Sequence, residues 1–334
     1  MLLPACSILA WRINRLVMTL LVGLALMHVG CAATLGTDQV TPMQWQAWQV
    51  IETKTGRLMS FPEWLKTLES QDIVYLGEEH YNRHHVDAAV RLLSAFMADG
   101  VRPAIGMEMF GWDGQPAVDG YLSHRIQRTP EFLEQAHWKT NWGGAFDNYE
   151  PLVRYAEEHH LSLYAMNPPK ALVRRVAKFG LSQARKETEW AQWEMDQEEI
   201  VDDPAYRARL FAQLRRCHGG GADSDYQMMY EASMVRDEGM AKTLVAALKA
   251  LRREPSASQR ILMSYTGGGH IQYNLPIPDR VSRRLTGQVR QVTIYLASFD
   301  AARAGEIQEL LHDHIADYVW LTPVGGQGPV QPCR

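Results

Sequence analysis

Two carboxylates and an imidazole stand in a row in Gly77-Glu-Glu-His80, directly after the apolar run Ile73–Leu76. A third carboxylate, Glu108, ends the run that begins at Pro103, and a second imidazole, His270, follows Ile261–Thr266 and three consecutive glycines, Gly267–Gly269. Glu and His are the side chains that exchange protons near neutral pH and that bind divalent cations. Glu78, His80, Glu108 and His270 therefore form a coherent set for acid/base catalysis or for a divalent metal. Along an extended Gly77–His80 the side chains alternate, which turns Glu78 and His80 to one side and Glu79 to the other. A single Glu or His at a strand end more often caps a loop. Its recurrence at three strand ends carries the reading of a shared pocket.

Those strand ends must lie together for the pocket to exist, and the rest of the chain provides for it. Short apolar runs at 72–76, 103–108, 161–166, 260–266, 289–296 and 317–321 are separated by segments with helical spacing, such as Val86, Ala89, Val90, Leu93 and Phe96. This alternation predicts an α/β fold, a largely parallel sheet flanked by helices, in which polar residues gather at the carboxyl edge. Residues 45–68 read as a helical or mixed lead-in. Residues 171–253 show no strand pattern and predict a helical insert subdomain of about 171–255, interrupted at His218-Gly-Gly-Gly221.

The formal charge of −4 and a pI near 6.3 leave no basic field for nucleic acid. At the N-terminus, Arg12 and Arg15 precede the apolar run 16–27, which has the length of a secretory signal core and is short for a membrane span. The run leads to His28-Val-Gly-Cys31, which resembles a bacterial lipobox, although an aliphatic residue is usual where His28 stands. Residues 1–30 are thus expected to be a lipoprotein signal peptide, Cys31 a lipidated anchor in the cell envelope, 31–44 a tether, 45–322 the α/β domain and 323–334 a flexible tail. Maturation would leave Cys217 and Cys333, free to pair in an oxidising compartment.

Gly77-Glu-Glu-His80, Gly106-Met-Glu-Met-Phe110, Tyr149-Glu-Pro-Leu152, Ala165-Met-Asn-Pro168, Asp237-Glu-Gly-Met-Ala241, Gly268-Gly-His270 and Leu275-Pro-Ile-Pro278 together resemble the ChaN family, iron-regulated haem-binding lipoproteins grouped with erythromycin-esterase-like and Tiki/TraB-like proteins. The resemblance runs from about residue 60 to 322. It implies an α/β core with a helical subdomain, haem as the cofactor, a homodimer holding haem between subunits, an outer-membrane location facing the periplasm, a role in haem-iron uptake or storage, and an outer-membrane haem receptor as a partner. It also implies a Glu/His pocket that supports hydrolysis in enzymatic relatives. The chain departs from the family at Arg236, where an aromatic residue is usual, and in the glycine turn, where asparagine often stands. Tyrosine and histidine serve as haem ligands, and His218, Tyr226 and Tyr230 beside the glycine break are candidates, with His85 near the strand-end pocket as another. A Met/Tyr stripe that merely packs the insert is the plainer explanation of the same residues.

Overall fold

The computed structural model describes residues 45–219, 221–253 and 260–325. The expected signal peptide, Cys31, the whole tether and most of the tail, with Cys333, lie outside them. Cys217 is disulfide-bonded.

Among the described residues, eight strands form one mixed, mostly parallel sheet: β1 (Val50–Glu52), β2 (Leu58–Met59), β3 (Ile73–Glu78), β4 (Arg102–Gly111), β5 (Leu163–Asn167), β6 (Arg260–Gly267), β7 (Gln291–Phe299) and β8 (Tyr318–Pro323). Their order is β2-β1-β8-β7-β3-β6-β4-β5. The six from β8 to β5 run parallel, as the alternation of runs predicts, while β1 joins β8 antiparallel and β2, antiparallel to β1, forms that edge. The β1–β2 hairpin replaces part of the expected lead-in. Strands this short carry too few residues for period-two alternation to register, and Gly56, at φ +70°, supplies the left-handed turn between them.

The helices are α1 (Phe61–Glu69), α2 (Arg83–Ala98), α3 (Gln115–Leu122), α4 (Thr129–Gln135), α5 (Trp138–Asn141), α6 (Glu150–Glu158), α7 (Lys170–Phe179), α8 (Leu181–Ala184), α9 (Thr188–Gln192), α10 (Pro204–His218), α11 (Asp223–Arg253), α12 (Ile277–Arg284) and α13 (Ala304–His312). They cover both faces of the sheet, which is why the central strands read as unbroken apolar runs. Val74, Leu76, Ile105, Met107 and Met263 face α1, α2 and α6. Their neighbours Ile73, Tyr75, Ala104 and Leu262 face α11, α12 and α13.

Between β5 and β6 the described chain is helical. The 31-residue α11 ties this region to the sheet. Its second half packs Leu244, Leu248 and Leu251 onto the strands, while Tyr226, Tyr230 and Met234 in its first half pack against Tyr206 and Phe211 of α10. Truncating Leu244, fully buried, would cost about 2–5 kcal/mol.

Candidate functional site

Glu78 is the last residue of β3, and Gly77 before it allows the close approach of the turn after β6. A Cβ at Gly77 would lie 2.7 Å from Ile271 and 2.9 Å from the Gly268 Cα. Glu78 is buried, and its carboxylate is satisfied on both oxygens. Oε1 accepts from the Tyr149 hydroxyl at 2.8 Å and lies 2.8 Å from His80 Nδ1, while Oε2 accepts from the Tyr265 hydroxyl at 2.7 Å. Burial raises the Glu78 pKa, and these partners offset only part of that rise. Tyr81, at φ +65°, and Asn82, which caps α2 by accepting from His84 N, then turn the chain into the helix.

His80 stays 40% exposed. Its ring meets Trp142 edge-on at 4.9 Å and rests against Gly267, where a Cβ would come within 2.6 Å of Cε1. Partial burial pulls its pKa down, but the Glu78 hydrogen bond and the nearby Glu108 charge outweigh that and raise it. Nδ1 is thus oriented by a buried carboxylate, and Nε2 makes no hydrogen bond among the described residues.

Glu108, on β4, approaches the same edge from the α11 face. Oε2 accepts from the Gly267 amide at 2.7 Å, and Oε1 pairs with Arg236 and lies 3.3 Å from His270 Nε2. His270 Nδ1 is 2.5 Å from Asp237 Oδ1, and Asp237 Oδ2 accepts from the Tyr206 hydroxyl at 2.7 Å. Burial opposes charge on His270, but the two carboxylates win and raise its pKa to about 9. The ring is therefore an imidazolium donating from both nitrogens. Glu108, which burial alone would raise, is held well below the usual carboxylate range by His270 and Arg236.

The four pocket residues thus meet at one edge in two groups, Glu78 with His80 and Glu108 with His270, and Gly267 sits at their junction. Among the described residues no group of three or more His, Cys, Asp or Glu is placed to hold a metal ion. Arg236 pairs with Glu108 Oε1, and His270 lies between Glu108 and Asp237. Glu79 faces away from the pocket but not into solvent. It is buried beside Ser298 and Arg303. Tyr265 and Tyr206 complete the site without having stood out in the sequence, where a tyrosine reads as core, and Tyr149 completes it having been marked only by its motif. Asp237 was marked only by its motif.

The haem candidates lie elsewhere. Tyr226 and Tyr230 are buried in the insert, the first accepting from Gly221 N at 2.7 Å and the second donating to Asp202 Oδ1 at 2.7 Å. Burial and Asp202 push the Tyr230 hydroxyl up to about 12. His218 ends α10. His85 joins neither group. It is fully buried at the start of α2, and its Nδ1 accepts from Glu79 N at 2.9 Å.

The fold has known counterparts. ChaN of Campylobacter jejuni, solved with cofacially bound haem, superposes with a TM-score of 0.59 at 16% identity over 81% of this chain and 95% of its own. An erythromycin esterase, EreC, in its open conformation gives 0.42 at 16% identity over 77% of each chain. No curated protein matches the chain. Residues 64–281 match the family described as haem-binding uptake, Tiki superfamily, ChaN. With well over half of its length matched, the chain belongs to this ChaN family of haem-binding uptake proteins.

Proposed function

We propose that this chain is a haem-binding lipoprotein, anchored through a lipid on Cys31 to the periplasmic face of the outer membrane and acting in haem-iron uptake or storage. Family membership over residues 64–281 carries the reading. Haem is the cargo here. ChaN of C. jejuni binds haem cofacially, and the same arrangement in this chain makes a homodimer the loaded form, exchanging haem with an outer-membrane receptor. The insert has a cleft of about 350 Å³ whose lining includes Phe211, Arg207 and Arg215. Phe211 supplies an apolar wall, Arg207 and Arg215 suit propionates once these replace Asp202 and Asp223, the acids that line the same cleft and pair with them, and Tyr230 lies behind Asp202 as a phenolate ligand once that hydrogen bond opens. The test is titration of the full chain with haemin. A saturable Soret change near one haem per chain is expected, with affinity falling at least about tenfold in Tyr230→Phe. Absence of a saturable change overturns the reading. Unchanged affinity in the variant removes only the ligand assignment.

A second reading, a hydrolase, is favoured by one observation: buried Glu78 holds Nδ1 of His80 while Nε2 is left unpaired on a partly exposed ring. This is the geometry of a general base and its orienting acid. Hydrolysis of chromogenic esters that is lost in His80→Ala, with haem binding intact, would support it. Equal rates in both proteins would refute it.

A further inference from the structure

The insert presents a surface that neither the haem cleft nor the strand-edge pocket uses. From Lys170 to Lys186 the chain holds six Lys or Arg and no Asp or Glu, within a protein of formal charge −4. α7 buries Leu172 and Val176, and exposes Arg174, Arg175 and Lys178 on its outer side. Past the left-handed break at Gly180, φ +79°, Arg185 and Lys186 are exposed as well. None of these five cations forms an ion pair among the described residues, whereas Arg207 and Arg215 of neighbouring α10 pair with Asp202 and Asp223.

The corner between α7 and α8 is also apolar. Phe179 is 46% exposed, Met228 41% and Met229 39%, which are three of the four large hydrophobic residues most exposed among those described. A Cβ on Gly180 would lie 4.0 Å from Met228 Cγ, so Met228 stands beside the Phe179–Gly180 corner. Arg175 and Lys178 sit 5.8 and 5.0 Å from the Phe179 ring centre. The acid at this corner, Glu231, is occupied, since it accepts from Leu181 N at 2.7 Å and from Gln227.

An exposed aromatic and thioether tip flanked by Arg175 and Lys178, on an amphipathic helix whose exposed residues include further unpaired cations, is complementary to a phospholipid surface. The cations meet headgroup phosphates, and the tip enters the boundary between headgroups and acyl chains. Propionates of one haem need two cations, and five stand here. We propose that the α7–α8 face, centred on Phe179 and Met228, docks the domain on an anionic membrane surface. The inference does not depend on where haem binds.

The test uses the full chain with vesicles of phosphatidylglycerol and phosphatidylcholine, or of phosphatidylcholine alone. Three proteins are compared by co-sedimentation: wild type, the triple variant Arg174→Glu/Arg175→Glu/Lys178→Glu, and Phe179→Ser. The N-terminal apolar run is the same in all three, so the preference for anionic over neutral vesicles is the readout. Wild type is expected to prefer anionic vesicles in a salt-sensitive way, with the preference reduced at least about tenfold in the triple variant. Phe179→Ser should weaken binding with little change in salt dependence. Hydrogen exchange on wild type keeps the proposal testable if the triple variant fails to fold, because anionic vesicles should slow exchange in 171–186. Equal anionic preference in all three proteins, protection confined to other segments, or loss of self-association in the triple variant with vesicle binding unchanged would each overturn the proposal.

Discussion

Replacing His270 with Gln removes a charge lodged between two buried carboxylates while keeping a hydrogen-bonding side chain of similar reach. His270 Nδ1 lies 2.5 Å from Asp237 and Nε2 3.3 Å from Glu108, with the side chain 13% exposed. Its folded pKa is raised to about 9, against an unfolded value near 6.5. A base whose pKa is raised on folding gives stability that is full below the unfolded pKa and is lost as pH rises through the folded one. The difference corresponds to about 3 kcal/mol. Wild type should therefore lose about 3 kcal/mol more than His270→Gln between pH 6.5 and pH 9.5, equivalent to roughly 5 °C in Tm for a domain of this size. Urea unfolding of both proteins across that range measures the difference, and the imidazole resonance of His270 reports its pKa directly. Parallel stability profiles for the two proteins, or a His270 titration at or below 6.5, would refute the reasoning.

The other buried imidazole behaves oppositely. Burial, helped by Arg303, lowers the His85 pKa to about 3, so its contribution is full above pH 6.5 and drains as pH falls towards 3, by up to about 5 kcal/mol. His85→Gln cannot charge yet can still accept from Glu79 N, and its acid-unfolding midpoint should fall; an unchanged midpoint would contradict the account. Gly267→Ala places a methyl 2.6 Å from His80 Cε1. Because His80 is partly exposed it can swing out, at a cost of about 1–3 kcal/mol, and its pKa should drop as the Glu78 contact loosens, which proton NMR can follow. Tyr206→Phe strips the buried Asp237 Oδ2 of its donor and should cost about 1–3 kcal/mol in denaturant unfolding.

The sheet was legible because parallel strands buried on two faces must be apolar along their length, and because Glu78 ends β3 and His270 follows β6; Glu108, expected to end its run, lies three residues inside β4, which continues to Gly111. The face from which each side chain reaches the edge was not legible. Glu78 comes from the α2 and α6 side and Glu108 from the α11 side, and that depends on register. β3 pairs Glu78 with Gly267, and β4 shifts register against β5 between Met107 and Gly111. Arg236 and Asp237 stand in mid-helix, where only the family motif drew notice to them. Both reach the site because α11 crosses the sheet edge, so consecutive residues meet Glu108 and His270 respectively. Tyr149 and Tyr265 show the general difficulty. A buried tyrosine ring packs as any aromatic does, and only its hydroxyl partner distinguishes a site residue from core.

Arg236, the departure from the family pattern, decides what the pocket can still do. Glu108 and Asp237 supply two acids, and Arg236 and His270 two bases, linked in the chain Arg236–Glu108–His270–Asp237. Such a group is neutral within itself. A divalent cation entering it would have to displace a guanidinium and deprotonate an imidazolium with a pKa of about 9. A buried pair of this kind stabilises mainly by leaving no charge uncompensated, so its role is to brace α11 against β4 and β6. The groups free to act are then Glu78 and His80, one buried carboxylate orienting one partly exposed imidazole. That pair gives this edge a single oriented base and no more.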